Sequence, residues 1–408
     1  MATIRPFRAL RPSPERAAEV SAVPYDVVST AEAREIARGN PWSFLHVSRA
    51  EIDLPDGSDA YAEAVYQKAA ESFQRLQREA PLLLEDKPLL YVCRQRLGNH
   101  EQTGVAGAFS LDEYDTDRIR KHEKTRKDKE DDRTRHMLTL KAQTGPVLLT
   151  YRGLAPIDAL VAHARTAEPL YDFTATDGVT HTIWRLSEGA ASQLAEAFRS
   201  VPFLYIADGH HRAASASRAR AQMRSANPDH NGREDYNLFL AVAFPAGELQ
   251  ILPYNRVVKD LNGRSPSEFH SALAKVSAVS ENAPPSPSKK GEVSVYLDGH
   301  WSGFHLPQPS GSNPIEALDA DRLQHHVLES LLGIRDIRMD NRIDFVGGIR
   351  GTEELERRVD SGRAAAAFSL YPVSLEEVMA VSDRGEIMPP KSTWFEPKLR
   401  DGLLIHMI

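Results

Sequence analysis

The chain has 408 residues, 41% hydrophobic and 26% charged, the proportions of an ordinary globular protein with room for two or three cores. Its net charge of −7 excludes a generic nucleic-acid binder and leaves space only for a local basic site. The lone cysteine, Cys93, excludes an intramolecular disulfide and a CxxC metal pair, and no apolar run approaches a membrane span. The opening Met-Ala-Thr-Ile-Arg-Pro-Phe lacks the apolar core of a signal peptide, so a cytoplasmic protein is expected.

In chain order, Ile4 to Leu10 reads as a strand ending at Arg11-Pro12. Val23-Pro24-Tyr25-Asp26 is a rigid turn that presents Asp26, because Pro24 makes a regular central strand unfavourable. Ser29 precedes a helix over 31–38 that stops at Gly39-Asn40, and Asn40 to Val47 reads as a second strand carrying His46. Tyr61, Ala64, Val65, Ala69, Phe73 and Leu76 recur at helical spacing over 59–78. The runs 88–97 and 103–111 flank Gly98-Asn99, a hairpin signal that points to antiparallel pairing.

The segment Asp117 to His136 holds nine Lys or Arg against six Asp or Glu. Interspersed signs usually mean a solvated helix face with i,i+4 pairs. Within it, His122-Glu123-Lys124-Thr125 sets a base, an acid, a cation and a hydroxyl together, and Lys124 with Arg126 could clamp a polyphosphate. Arg126 stands where a His-Glu-x-x-His zinc site needs its second histidine, so a zincin is excluded.

An apolar strand over 147–151, a helix over 154–167, a hairpin around Asp177-Gly178 and a helix over 187–199 follow. They lead to Phe203 to Ala207, a buried-strand run broken by Asp208-Gly209-His210-His211-Arg212 and continued as an Ala-rich helix. Such a strand–turn–helix aims the helix's free N–H groups and its dipole at one sheet edge, a seat for phosphate or carboxylate. Asp208 could serve as a base or a Mg²⁺ ligand, with His210 and His211 as proton carriers and Arg212 as an anion holder. In a purely structural reading, Asp208 caps the helix and the histidines pack.

Beyond the turn, 236–245 and 249–258 read as a hairpin around Ala246-Gly247, with Asn255 and Arg256 near a sheet edge as substrate contacts. Ala283 to Lys290 has three prolines and two serines and reads as a linker. The domain expectation is therefore a main α+β region over 1–282, a linker or loop over 283–291 and a C-terminal α+β region over 292–408. In the last of these, 292–306 reads as a hairpin and 318–332 as one amphipathic helix. Met388-Pro-Pro-Lys391-Ser392-Thr-Trp394-Phe-Glu-Pro-Lys398 cannot be a helix with three prolines, and its lysines and hydroxyls suit an anion.

The Asp-Gly-His-His-Arg turn after a strand resembles the signature turn of the ParB/sulfiredoxin-like superfamily, whose members set a Gly-x-x-Arg-type turn against nucleotide phosphates. Ile4-Arg-Pro-Phe, Val23-Pro-Tyr-Asp26, Lys121-His-Glu-Lys-Thr, Leu252-Pro-Tyr-Asn-Arg and Met388 to Lys398 together resemble the family called domain of unknown function 1015. The resemblance implies an α+β fold of mixed, largely antiparallel sheets with flanking helices around a nucleotide-binding core. It implies a phosphate site at Gly209, Arg212, Lys124, Arg126, Lys391, Ser392 and Lys398. Catalysis falls to Asp208, His210, His211 and Glu123, and substrate contacts to Asp26, His122, Asn255 and Arg256.

The expected function is a phosphotransferase using ATP, ADP or CTP with Mg²⁺ on a small hydroxyl-bearing metabolite, with free serine suggested only by ParB-like serine kinases. The alternative is a ParB-like nucleotide-binding switch, but no helix-turn-helix or basic tail supports DNA binding. A metal hydrolase using Asp208, His210 and His211 lacks further ligands, and a sulfiredoxin activity lacks its cysteine because position 210 is His. A small-molecule substrate is expected, without membrane or nucleic acid; the oligomeric state is open, a homodimer included.

Overall fold

The computed structural model describes residues 1–309 and 311–408. The fold is α+β, with mixed and antiparallel sheets flanked by helices. The chain divides into two units, 1–249 joined by 397–408, and 250–396. The Pro/Ser-rich stretch 283–291 lies inside the second unit, between strands Val279–Glu281 and Glu292–Leu297, so it does not separate the two.

The main sheet of the first unit runs Ile119–Arg120, Leu204–Asp208, Val147–Tyr151, Leu238–Pro245, His100–Ser110, Tyr91–Leu97, Thr180–Arg185, Tyr171–Thr174. Leu204–Asp208 is parallel to Ile119–Arg120, and Leu238–Pro245 to Val147–Tyr151. The neighbouring pairs are antiparallel. The inner strands are almost continuously apolar because both of their faces are buried. Phe109 sits at the centre, its ring near those of Phe198 and Phe239. Helix His210–Ala226 lies against helix Lys127–Leu140, and Ala213, Ala216 and Ala219 let it approach its neighbours closely.

A smaller antiparallel sheet orders Leu83–Leu84, Ala9–Arg11, Ile405–Met407 and Ala142–Gln143. The chain's last strand is thus clamped between residues from its first and second quarters. Pro6 interrupts the strand expected over 4–10, and its two halves, Ile4–Arg5 and Ala9–Arg11, serve different sheets. Ser29 caps helix Thr30–Ala37 in a reciprocal box with Glu32, as the sequence suggests.

Three expectations are corrected. Residues 45–48 are a helical turn, not a strand: Asn40 accepts from the Trp42 N–H at 3.0 Å and bends the chain, and Phe44 donates to Val20 at 3.0 Å. The hairpin over 236–258 does not form. A 3₁₀ turn at Ala246–Glu248 and Pro253 break it, and Tyr254–Val258 instead pairs with Ile343–Gly347 and Ala366–Leu370 in the second unit. The single helix over 318–332 is a short α-helix, Asp319–Leu323, continuing as a π-helix, Gln324–Glu329.

The second unit is built on an antiparallel sheet in the order Val279–Glu281, His300–His305, Glu292–Leu297, Ala366–Leu370, Tyr254–Val258, Ile343–Gly347. A two-stranded ribbon, Gln250–Leu252 with Trp394–Glu396, accompanies it. Among the described residues, no helix is long and apolar enough to cross a membrane.

Candidate functional site

The turn after strand Leu204–Asp208 behaves as its composition demands. A bulge between Ile206 and Asp208 re-aims the strand's end. Gly209 then takes φ 93°, the left-handed region where a side chain is strained. The helix His210–Ala226 starts without a side-chain cap and without an acid in its first turn. Its leading N–H groups and the positive end of its dipole are therefore available to an anion.

Asp208 does not cap this helix. Its Oδ2 lies 3.6 Å from Lys398 Nζ. Burial pushes the Asp208 carboxyl up, but Lys398 and Arg212 outweigh it and hold the group below its ordinary value. Lys398 is in turn fixed by a relay, in which Gln102 donates to Gln95 at 3.0 Å and Gln95 donates to the Lys398 carbonyl at 2.7 Å.

His210 and His211 do something the sequence does not show. The backbone N–H of His122 donates to His210 Nε2 at 3.3 Å, and that of Arg126 to His211 Nε2 at 3.1 Å. A backbone N–H can only donate, so both rings accept at Nε2 and carry their proton on Nδ1. His210 Nδ1 then faces Glu123 Oε2 at 3.7 Å. The two histidines hang the 122–126 loop on the turn. Burial keeps both on the neutral side of their ordinary value. In this arrangement the Nε2 atoms of both rings are taken by backbone N–H groups, and His210 Nδ1 is turned to Glu123. His211→Ala is expected to strip the Arg126 amide of its protection, read as a 10-fold or faster hydrogen exchange at that amide.

His122 is fully buried, its ring edge-on to His210 at 4.4 Å, and burial lowers it to about 4. The fold sets it beside the turn with both ring nitrogens buried and without a hydrogen bond. Glu123 and Lys124 are exposed on the loop. Arg126 is exposed too, but it is committed to a two-point pair with Asp128 at 3.1 and 2.8 Å.

Arg212 is turned inward. Its Nη1 donates to Pro146 O at 2.7 Å, Nη2 lies 3.5 Å from Asp26 Oδ1, and the guanidinium stands 5.8 Å from the Tyr25 ring centre. Asp26, expected from its turn, thus does join the cluster. Asp401, which the sequence reading missed, is part of it as well. It is 3% exposed and its backbone pairs with Ala22. Burial pushes its carboxyl up to about 7 against the pull of Arg212, with Asp26 adding to the rise. The only signal was its place just after Lys398 in the C-terminal motif.

Asn255, Arg256, Lys391 and Ser392 belong to the second unit. Asn255 accepts from the Leu370 N–H at 3.1 Å, and Ser392 donates to Pro389 O at 2.7 Å, so both shape backbone. Arg256 is 1% exposed, donates to Tyr254 O and has Nε and Nη2 without hydrogen bonds. Lys391 places its ammonium 5.5 Å from the Tyr254 ring centre. Among the described residues, no group of three or more His, Cys, Asp or Glu side chains is arranged to hold a metal.

Residues 4–321 match the family described as protein of unknown function (DUF1015), and the chain belongs to that family. No curated protein matches it. Among solved structures it is similar to a free serine kinase mutant in complex with AMP, at 15% identity and TM-score 0.35, covering 72% of this chain and 87% of that one. It is also similar to C-terminally truncated SbnI from Staphylococcus aureus, at 10% identity and TM-score 0.38, over 74% and 87% of the two chains. A conserved hypothetical protein from Pyrococcus furiosus is similar at 14% identity and TM-score 0.35, over 74% and 95%. Likeness at this level carries no functional argument.

Proposed function

We propose that the turn at Asp208 seats nucleotide phosphates and that the protein transfers a phosphoryl group to a hydroxyl of a small metabolite, free serine being the first to try. One observation carries the reading: an uncapped helix N-terminus, opened by a left-handed glycine, beside a half-buried Asp208–Lys398 pair. Phosphoryl transfer needs an anion seat, charge neutralisation and a group that takes the acceptor's proton. The first N–H groups of helix His210–Ala226 supply the seat, and Lys398 the neutralising cation. Asp208 or Glu123 takes the proton as the acceptor oxygen bonds to phosphorus and the bridging P–O bond to the nucleotide breaks. Asp208 is a lone carboxylate already facing Lys398, so Mg²⁺ would enter with the polyphosphate rather than wait on the protein.

Phosphorus NMR with Mg²⁺, ATP, ADP, CTP or pyrophosphate and a pool of amino acids and other small hydroxyl compounds tests this. The expected result is a new phosphoester signal that Asp208→Asn lowers by about 10²-fold or more. Nucleotide hydrolysis without an ester would favour the alternative, a nucleotide-dependent switch in which the same turn senses the bound phosphates. No turnover and no line broadening would make the turn structural.

A further inference from the structure

Behind the turn, the first unit holds a cavity of about 40 Å³ lined by Tyr25, Ser48, Arg133, Thr144, Arg212 and Asp401, among others. That volume has room for roughly three waters or a small polar group. Its wall carries a concentration of unmet polar atoms: Ser48 Oγ, Arg212 Nε and Nη2, and Asp401 Oδ1 are buried and make no hydrogen bond. Leaving such atoms unmatched is costly, so something polar must meet them.

The charges say what. Arg133 is spoken for: it donates to Asp132 at 2.8 Å and to Ser48 O at 3.3 Å, and stacks 4.3 Å from the Tyr25 ring centre. Arg400, next to Asp401, points elsewhere, to His181 at 3.0 Å and to Asp177. What lines the void without a hydrogen bond is the Nε/Nη2 edge of one guanidinium, its Nη2 also 3.5 Å from Asp26, and the oxygen of one carboxyl. A bare anion such as phosphate would be drawn to Arg212 but repelled by Asp26, and by Asp401 once its carboxyl, raised to about 7, has ionised. A bare cation would meet the reverse. A neutral dipolar molecule meets both, with a carboxylate on the guanidinium's two-donor edge and an ammonium on the carboxylate.

We propose that this cavity receives the zwitterionic head group of a free α-amino acid, its carboxylate on Arg212 Nε and Nη2 and its ammonium on Asp401 Oδ1. The inference rests on the preceding reading only for the amino acid's part as phosphoryl acceptor; binding itself requires no nucleotide. Arg212 then becomes a substrate residue, leaving the phosphates to the helix N-terminus and Lys398.

Titration calorimetry of the full chain at pH 8, where the Asp401 carboxyl is ionised, and without nucleotide decides it, whatever the outcome of the phosphotransfer assay. The probes are L-serine, lactate (no ammonium), ethanolamine (no carboxylate) and inorganic phosphate. Serine is expected to bind at least 10-fold more tightly than the other three, and Asp401→Asn to weaken serine at least 10-fold while leaving lactate unchanged. Should Asp401→Asn not fold, the four-probe ranking on the unaltered chain decides alone. Equal binding of serine and lactate, tighter binding of phosphate, or no binding by any probe would overturn the proposal and leave a water-filled void.

Discussion

Acidification from pH 6.5 to 5 is expected to remove roughly 4 kcal/mol of folding stability, enough to unfold a protein of ordinary marginal stability. The cause is a set of histidines that the fold buries neutral. Burial lowers His122 and His136 to about 4 and His181 to about 3, with Arg133 adding to the effect at His136 and Arg400 at His181. In the unfolded chain each titrates near 6.5. The sign follows. Above about pH 7.5 these rings are neutral in both states and their contribution is fully present. Between about pH 6.5 and about pH 4 only the unfolded chain binds the extra proton, so each ring removes about 1.4 kcal/mol per pH unit as the pH falls. His210, lowered in the same direction, adds to them. Asp401 opposes them. Its carboxyl is raised to about 7, so it stays protonated in the fold while the unfolded chain releases its proton, and it returns about 1.4 kcal/mol per unit on acidification. Three losses against one gain leave about 3 kcal/mol per pH unit. Urea unfolding at pH 5, 6 and 7 reads the slope directly. His136→Gln, which preserves a donor for the Val47 carbonyl that His136 now meets at 2.9 Å, should flatten it by one proton's worth. A stability that is level between pH 5 and 7 would mean that these rings are charged or solvated in the fold.

Gly402→Ala is the second large effect, at roughly 2–4 kcal/mol of destabilisation. Gly402 has φ +85°, where a side chain costs about 1 kcal/mol, and a Cβ there would sit 2.6 Å from the Phe44 ring. Phe44 is fully buried, so the ring has nowhere to retreat and overpacking adds about 1–3 kcal/mol. Gly98→Ala is the control: φ is +57° with nothing within 4 Å of the added carbon, so only the backbone term of about 1 kcal/mol remains. The difference between the two denaturation midpoints isolates the clash. Gly402 also anchors the returning tail through its N–H to Thr144 O at 3.0 Å. Displacing it should shift Lys398 and Asp401 together, so nucleotide and amino-acid binding should weaken in parallel. Equal midpoints for the two variants would show that Phe44 yields without cost.

Much of the site's local frame was legible in the residues. The apolar run before Asp208, the glycine after it and the alanines beyond dictate strand, left-handed turn and helix by nearest-neighbour sterics and propensity alone. The same short-range chemistry sets Ser29 and Glu32 as a helix start and Val147–Tyr151 as a buried strand. Tertiary structure decided what the side chains in that frame are for. His210 and His211 read in the sequence only as titratable neighbours, whereas in the fold backbone N–H groups 88 and 85 residues away sit on their Nε2 atoms. Arg212 reads in the sequence as a free cation, and in the fold Pro146 O and Asp26 draw it inward. Asp401 looks like a tail residue until the last strand, clamped between Ala9–Arg11 and Ala142–Gln143, carries it to the cavity wall. Propensity and periodicity act over a few residues, whereas burial and charge pairing depend on which distant segments meet. The sequence therefore determined the turn's backbone, and only the folded chain determined which of its polar atoms are still free to meet a ligand.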